Sequence, residues 1–143
     1  MQLKLIQHGT KEYDQMIQLR MELLRRPLGL SFSKEQLDAE KKDMLICAFE
    51  NDQIIGCCVL TEHDPATIQL RQMAVNLNAQ SKGIGRSIVA FAENFAKEKG
   101  YTTLMMHARN TALDFYKKCG YEIKGDEFTE VTIPHHHMEK KLQ

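Results

Sequence analysis

The chain reads Gln80-Ser81-Lys82-Gly83-Ile84-Gly85-Arg86-Ser87 where a strand pattern gives way to a helical one. The strand-like segment covers residues 68–75. The helical pattern that follows places apolar side chains at Ile84, Ile88, Phe91, Ala92, Phe95 and Ala96. A glycine-rich turn that opens a helix presents unpaired backbone N–H groups at the positive end of the helix dipole. This arrangement suits a phosphate or pyrophosphate group, so the segment predicts a ligand that carries one.

Two familiar phosphate-binding motifs fit this turn less well. The dinucleotide pattern needs a third glycine three residues after Gly85, where Ile88 stands instead. The P-loop pattern needs Gly-Lys-Ser or Gly-Lys-Thr after a longer loop, which the chain lacks. The plain structural alternative is that two glycines ease a tight turn into a helix.

Length and charge predict one ordinary globular domain over residues 1–143. Acidic and basic side chains are equal in number, and the formal net charge is zero. We therefore expect neither a nucleic-acid nor a membrane partner. No apolar run reaches the length of a membrane span, and residues 1–4 lack the features of a signal peptide, so a cytoplasmic location is expected.

The cysteine and histidine spacings predict neither disulfides nor a metal site. The cysteines form no C-x-x-C motif and are expected to be small, mostly buried hydrophobic residues: Cys47, Cys57, Cys58 and Cys119. His135 and His137 would share one face of a strand, but no carboxylate or cysteine stands at ligand spacing.

The periodicity predicts the element order β-α-α-β-β-β-α-β-α-β-β. Helices are expected over residues 11–25, from Ser33, from the glycine-rich turn to Gly100, and over 111–119 with Asn110 as N-cap. Strands are expected over residues 3–7, 44–49, 53–61, 67–75, 102–107, 121–129 and 136–141. An early meander followed by a βαβ unit predicts an α/β fold with a mixed sheet and helices on both faces. Neighbouring strands can splay where the two meet, and ligands tend to bind there.

Two segments resemble the signatures of the GCN5-related N-acetyltransferases, the GNAT family. Gln80-x-x-Gly83-x-Gly85 matches the family pattern Q/R-x-x-G-x-G/A in a strand–turn–helix context. Residues 110–121 resemble the second signature, N-x-x-A-x-x-F-Y-x-x-x-G-F, with Ala112 one place early and Tyr121 in place of Phe. The resemblance runs from residue 44 to the C-terminus. It implies the GNAT acyl-CoA N-acyltransferase fold, whose mixed central sheet is mostly antiparallel. Residues 107–108, 125–128 and 133–135 are similar to the small ElaA-like bacterial subgroup.

The resemblance implies acetyl-CoA as cosubstrate and an amine of a small molecule or protein as acceptor. Its pyrophosphate would lie on the N–H groups of residues 81–86, where a Cβ on either motif glycine would block close approach. The pantetheine arm would pair with the fourth strand. The implied cofactor-binding residues are Met73, Ala74, Val75, Gln80, Ser81, Lys82, Gly83, Ile84, Gly85, Arg86, Ser87, Asn110 and Phe115. Family members often dimerise, so a homodimer is allowed.

Acetyl transfer to an amine needs a base, a donor to the oxyanion and a proton for the leaving thiolate. The resemblance assigns the last role to Tyr116; a packing role is the alternative. A strand N–H near Met73 or Ala74 would serve the oxyanion. Many family members carry a glutamate base on the fourth strand, but this chain has Gln69, Arg71 and Gln72 there. The base candidates elsewhere are Glu62, His63, His107, Glu130 and His135.

The basic end of the first helix bears on the choice of acceptor. Arg20 or Arg25 is hypothesised to select an acceptor with a negative group; a helix C-terminus completed by basic residues is the alternative. The leading function is direct acetyl transfer from acetyl-CoA to a primary amine. The main alternative is a non-catalytic acyl-CoA-binding or regulatory module, and a nucleotide-binding regulatory domain is disfavoured by the missing motifs.

Overall fold

A computed structural model of the chain describes residues 1–80 and 82–143. The strands are β1 (Gln2–Ile6), β2 (Met44–Glu50), β3 (Gln53–Asp64), β4 (Thr67–Val75), β5 (Thr103–Arg109), β6 (Glu122–Ile123), β7 (Phe128–Glu130) and β8 (Ile133–Lys141). The α-helices are α1 (Lys11–Arg20), α2 (Lys34–Asp38), α3 (Ile84–Glu98) and α4 (Leu113–Lys118). Among the described helices, none combines the length and apolar character needed to cross a membrane.

All eight strands join one mixed sheet. Its order is β1-β2-β3-β4-β5-β8-β6, with β7 paired to β8. The β4–β5 pair is parallel, and the other pairs are antiparallel. Apolar residues of α3 and α4 pack on one face of the sheet, and those of α1 pack on the other. The predicted mixed, mostly antiparallel sheet with helices on both faces is confirmed.

Local signals in the first half of the chain acted as expected. Ser33 and Gln36 form a reciprocal capping box at the start of α2. Asn51 and Asp52 both have positive φ, 51° and 65°, in the tight turn between β2 and β3. The cysteines are free thiols, with Cys119 half-buried and the other three in buried strand positions.

The first helix differs from the prediction in its last part. Instead of one α-helix to Arg25, a π-helical turn covers Met21–Arg25, and a short 3-10 turn covers Arg26–Leu28. The buried face also differs, since Leu19 and Arg20 are buried while Ile17 is only half-buried. Arg20 donates to both carboxylate oxygens of Glu40, at 2.8 and 2.6 Å, which makes burial of its charge tolerable.

Two predictions in the C-terminal half were wrong. The expected strand over residues 121–129 is split into β6 and β7, because irregular backbone that includes Gly125 at φ +91° separates them. Asn110 does not cap a helix. Its amide instead donates to Glu127 Oε1 at 2.7 Å and its oxygen lies 2.7 Å from His136 Nδ1, while α4 begins without a side-chain cap.

Candidate active site

The sheet opens between β4 and β5. Their parallel pairing runs from Thr67–Thr103 to Leu70–Met106 and goes no further in the described structure. Beyond that point β4 carries a bulge, with Gln72 at φ +55° and a register shift against β3. A cavity of about 870 Å³ lies at this opening and is lined by residues of both strands. The expected splay of neighbouring strands is therefore present.

The N-terminus of α3 lies at one end of the cavity. Gly83 precedes the helix at φ +74°, and no side chain of the described residues caps the helix start. The Ser87 N–H donates to Gly83 O at 3.1 Å, which leaves the N–H groups of residues 84–86 without an intrahelical partner. Gln80 Nε2 donates to Val75 O at 3.0 Å and thereby ties the preceding turn to the end of β4. This end of the cavity can accept an anionic group.

The two motif glycines serve different local purposes. At Gly83 an added Cβ would have no atom within 4 Å, but the positive φ strains any other residue. At Gly85 an added Cβ would stand 3.1 Å from the Phe115 ring and 3.6 Å from Val75. Phe115 therefore packs directly on the first turn of α3. A residue of the second signature, residues 110–121, thus contacts the helix that begins in the first signature, residues 80–85.

Tyr116 lies at the inner wall of the same cavity. Its side chain is only 5% exposed, and its ring packs edge-on against Phe115 at 5.0 Å and Tyr121 at 6.0 Å. No protein group among the described residues hydrogen-bonds its hydroxyl, although the residue lines the cavity. Burial raises the pKa of the Tyr116 phenol well above its usual value. The phenol therefore stays protonated near neutral pH, and its O–H can donate a hydrogen bond into the cavity.

Three of the five base candidates lie close together and line the same cavity. His107 Nδ1 lies 2.9 Å from Glu130 Oε1, and His135 Nε2 lies 3.9 Å from Glu130 Oε2. The Phe128 ring contacts both imidazoles, edge-on at 5.1 Å for His107 and stacked at 5.9 Å for His135. A carboxylate beside one ring nitrogen favours the tautomer whose other nitrogen can accept a proton.

The remaining base candidates lie elsewhere. Glu62 and His63 are exposed near the far end of β3, where Glu62 pairs with Ile68 at the start of β4. Glu62 accepts a hydrogen bond of 2.6 Å from the Tyr101 hydroxyl. Neither residue lines the cavity.

Arginines line the part of the cavity nearest α1. Arg20 is not among them: it is fully buried against Glu40, and its guanidinium stacks on Phe32 at 4.7 Å. Arg25 does line the cavity, together with Arg71 from β4 and Arg109 from β5. The hypothesis that Arg20 contacts the acceptor is therefore wrong, because its charge is used inside the fold.

The predicted cofactor residues divide into two groups in this structure. Those that line the cavity are Met73, Val75, Gln80, Gly83, Gly85, Arg86 and Phe115. Those that do not are Ala74, Lys82, Ile84, Ser87 and Asn110. Ala74 and Ile84 are buried in the two cores. Ser81 lies outside the described residues.

Sequence reasoning missed several residues that line the cavity. Arg71 and Arg109 come from the two splayed strands, and Leu24 and Gln36 come from the segment after α1 and from α2. A signal for Arg71 was available, since it is a charged side chain within the strand beside the predicted opening. The approach of Leu24 and Gln36 depends on tertiary packing that periodicity does not report.

Known proteins match this chain over half of its length or more. The profile of the acetyltransferase (GNAT) domain matches residues 30–142. The uncharacterized protein YyaT of Bacillus subtilis is 37% identical over 76 residues, which are 53% of this chain and 51% of that protein. The chain spans about half the length of the first curated relatives that it matches.

Solved structures share the fold over nearly the whole chain. A GNAT family acetyltransferase from Elizabethkingia anophelis, solved with acetyl-CoA bound, has a TM-score of 0.76 at 25% identity and covers 99% of this chain and 97% of its own. Escherichia coli ElaA has a TM-score of 0.82 at 13% identity and covers 97% and 98%. That identity supports the fold alone, so membership of an ElaA-like subgroup stays a prediction. The family resemblance found in the two signatures is confirmed: this chain belongs to the GNAT acetyltransferase family.

Proposed function

We propose that this chain transfers the acetyl group of acetyl-CoA directly to a primary amine. The observation that carries the proposal is one cavity, lined at one end by the uncapped N-terminus of α3 and further in by a buried phenol and a histidine–carboxylate pair. Acetyl transfer from a thioester that carries a pyrophosphate needs an anion-binding site, a proton donor and a proton acceptor. The helix start, the phenol and the histidine–carboxylate pair can supply these.

The residues present fit acetyl-CoA. The backbone N–H groups of residues 84–86 would hold its pyrophosphate, with Arg86 as a nearby positive charge. The β4 segment from Met73 to Val75, which has no β5 partner in the described structure, would pair with the pantetheine arm. When bound, acetyl-CoA supplies an activated thioester. The named cofactor residues remain proposals, including Ala74, Lys82, Ser87 and Asn110.

His107 is the best-placed general base. It lines the cavity at the end of β5, and Glu130 engages its Nδ1. The tautomer that this contact favours leaves Nε2 with a lone pair that can take a proton from the attacking amine. Glu130 then acts as a positioning residue for the imidazole. The arrangement replaces the strand glutamate, whose place β4 fills with Gln69, Arg71 and Gln72.

Tyr116 is proposed to protonate the departing thiolate. Its phenol is neutral, lies in the same cavity and has no described protein partner competing for its proton. A backbone N–H of β4 near Met73 or Ala74 would stabilise the developing oxyanion.

Two measurements test the proposal. Calorimetry with acetyl-CoA and CoA should show binding. A free-thiol assay over a panel of primary amines should show acceptor-dependent thiol release. Binding without release for any amine would favour the non-catalytic acyl-CoA-binding module. Absence of binding would exclude both the enzyme and the module.

A further inference from the structure

The α1 side of the cavity carries three arginines that form no salt bridge within the described structure. Arg25, Arg71 and Arg109 come from three different elements and line the same space. Within the described residues, none of them has a carboxylate oxygen within 4 Å, whereas the neighbouring Arg20 is paired with both oxygens of Glu40. Glu130 is the carboxylate that lines the cavity beside them, and it contacts His107.

Two of these guanidiniums are held in place by the protein. Arg109 Nη2 donates to Leu24 O at 3.2 Å. Arg25 stacks on the Phe32 ring at 4.5 Å and donates to Leu24 O at 3.3 Å. Both side chains are half-buried. Burial and then the charge of Arg109 lower the pKa of Arg25, so the fold keeps like charges together at a cost.

This arrangement is distinct from the cofactor end of the cavity. Arg71 pairs in register with Val59, and Arg109 pairs with His135. Val59 packs in the core on the α1 face, whereas the α3 N-terminus belongs to the opposite face. The arginines therefore lie beside α1, away from the glycine-rich turn. Leu24 and Gln36 complete that wall.

We propose that Arg25, Arg71 and Arg109 bind a carboxylate on the acceptor, so that the acceptor is a small amine that carries a carboxylate group. This inference rests on the proposed acetyl transfer and names its substrate class. Guanidinium groups hold carboxylates through paired, charge-assisted hydrogen bonds. The carboxylate would complete the ion pairs that these arginines do not form within the described structure, and would orient the amine toward the His107 side of the cavity.

The test compares amine acceptors with and without a carboxylate group. β-Alanine and γ-aminobutyrate are compared with their amides, and phosphoethanolamine and spermidine serve as a phosphorylated and a polycationic acceptor. We expect kcat/KM for each carboxylate to exceed that of its amide by about 10- to 100-fold, as a charge-assisted contact allows. In Arg71→Gln and Arg25→Gln this preference should fall to about threefold or less. Arg26→Gln, an exposed change outside the cavity, is the matched control.

Each outcome is decisive. Equal use of carboxylates and amides, or a preference for phosphoethanolamine or spermidine, overturns the inference and leaves acetyl transfer intact. A carboxylate preference that survives both variants also overturns it. If no amine causes thiol release, the proposed function fails. Calorimetry with N-acetyl-β-alanine and its amide then tests the anion site independently of catalysis. Heat with the carboxylate alone, lost in Arg71→Gln, supports the site; no heat in the wild type refutes it.

Discussion

Replacing Tyr116 with Phe separates a chemical role for the phenol from a packing role. The ring is 5% exposed and is held by edge-on contacts with Phe115 and Tyr121. Phenylalanine keeps these contacts. No described protein group bonds the hydroxyl, so its removal leaves no orphaned partner, and the free energy of unfolding should change by less than about 1 kcal/mol.

The expected effect on turnover is much larger. A positioned proton donor contributes about 10²–10⁴-fold, so Tyr116→Phe should lower kcat by about 100-fold or more. This corresponds to about 2.7 kcal/mol in the activation barrier. The affinity for acetyl-CoA should be unchanged, because the substitution removes no group from the helix N-terminus. Since burial raises the phenol pKa, the wild type should also show no loss of activity from this group up to about pH 9.

The assay is thiol release at saturating acetyl-CoA and acceptor, with calorimetry for binding and urea denaturation for stability. Tyr101→Phe is the matched control, since it removes a phenolic hydroxyl that donates a hydrogen bond to Glu62 outside the cavity. An unchanged kcat in Tyr116→Phe would refute the proton-donor role. If the rise in the activation barrier were matched by an equal fall in the free energy of unfolding, the side chain would act through packing.

Other consequences of the structure can be measured separately. His107→Ala should lower kcat by about 100-fold or more, and added imidazole should restore part of it; undiminished activity would exclude His107 as the base. Glu40→Gln should lower the free energy of unfolding in urea by about 3–5 kcal/mol, because it leaves Arg20 buried without its countercharge, whereas the exposed Glu22→Gln should have little effect. Burial raises the pKa of Glu40, but the hydrogen bonds from Arg20 and Tyr13 and the charges of Arg20 and Arg71 outweigh burial and hold the pKa below its usual value. The stabilisation is therefore complete above about pH 4.3 and lost as pH falls through the lowered pKa, and a pH-independent difference between wild type and variant would contradict this. Gly83→Ala should cost about 1–2 kcal/mol through its positive φ alone, and an Asn at that position should cost less; equal losses would point to a steric cause.

The features predicted well from the sequence are those coded by neighbouring residues. The capping box at Ser33, the turn at Asn51, and the strand–turn–helix around Gly83 all depend on contacts within a few positions. The placement of Tyr116 in the cavity followed from the second signature and its spacing. Local chemistry and the family resemblance agreed on the same region, so the position of the α3 N-terminus at the cavity could be predicted.

The features that were missed depend on distant parts of the chain. Arg20 looked available because its partner, Glu40, lies twenty positions away on a separate segment. Asn110 has the side chain of a good helix cap, yet Glu127 and His136 compete for it across the sheet edge. The bulge at Gln72 is set by the register of β4 against β3. No glycine at this position indicates it in the sequence.

The π-helical turn at Met21–Arg25 accommodates one residue more than an ordinary helix needs. An i→i+5 turn encloses one residue more than an α-helical turn, and the chain leaves it in nearly the same direction. Deleting one residue from this segment should therefore convert it to an ordinary α-helical turn and leave Arg26–Leu28 in place. A single-codon deletion here should be tolerated better than one in the middle of α3, where it would turn the following side chains by about 100° around the axis.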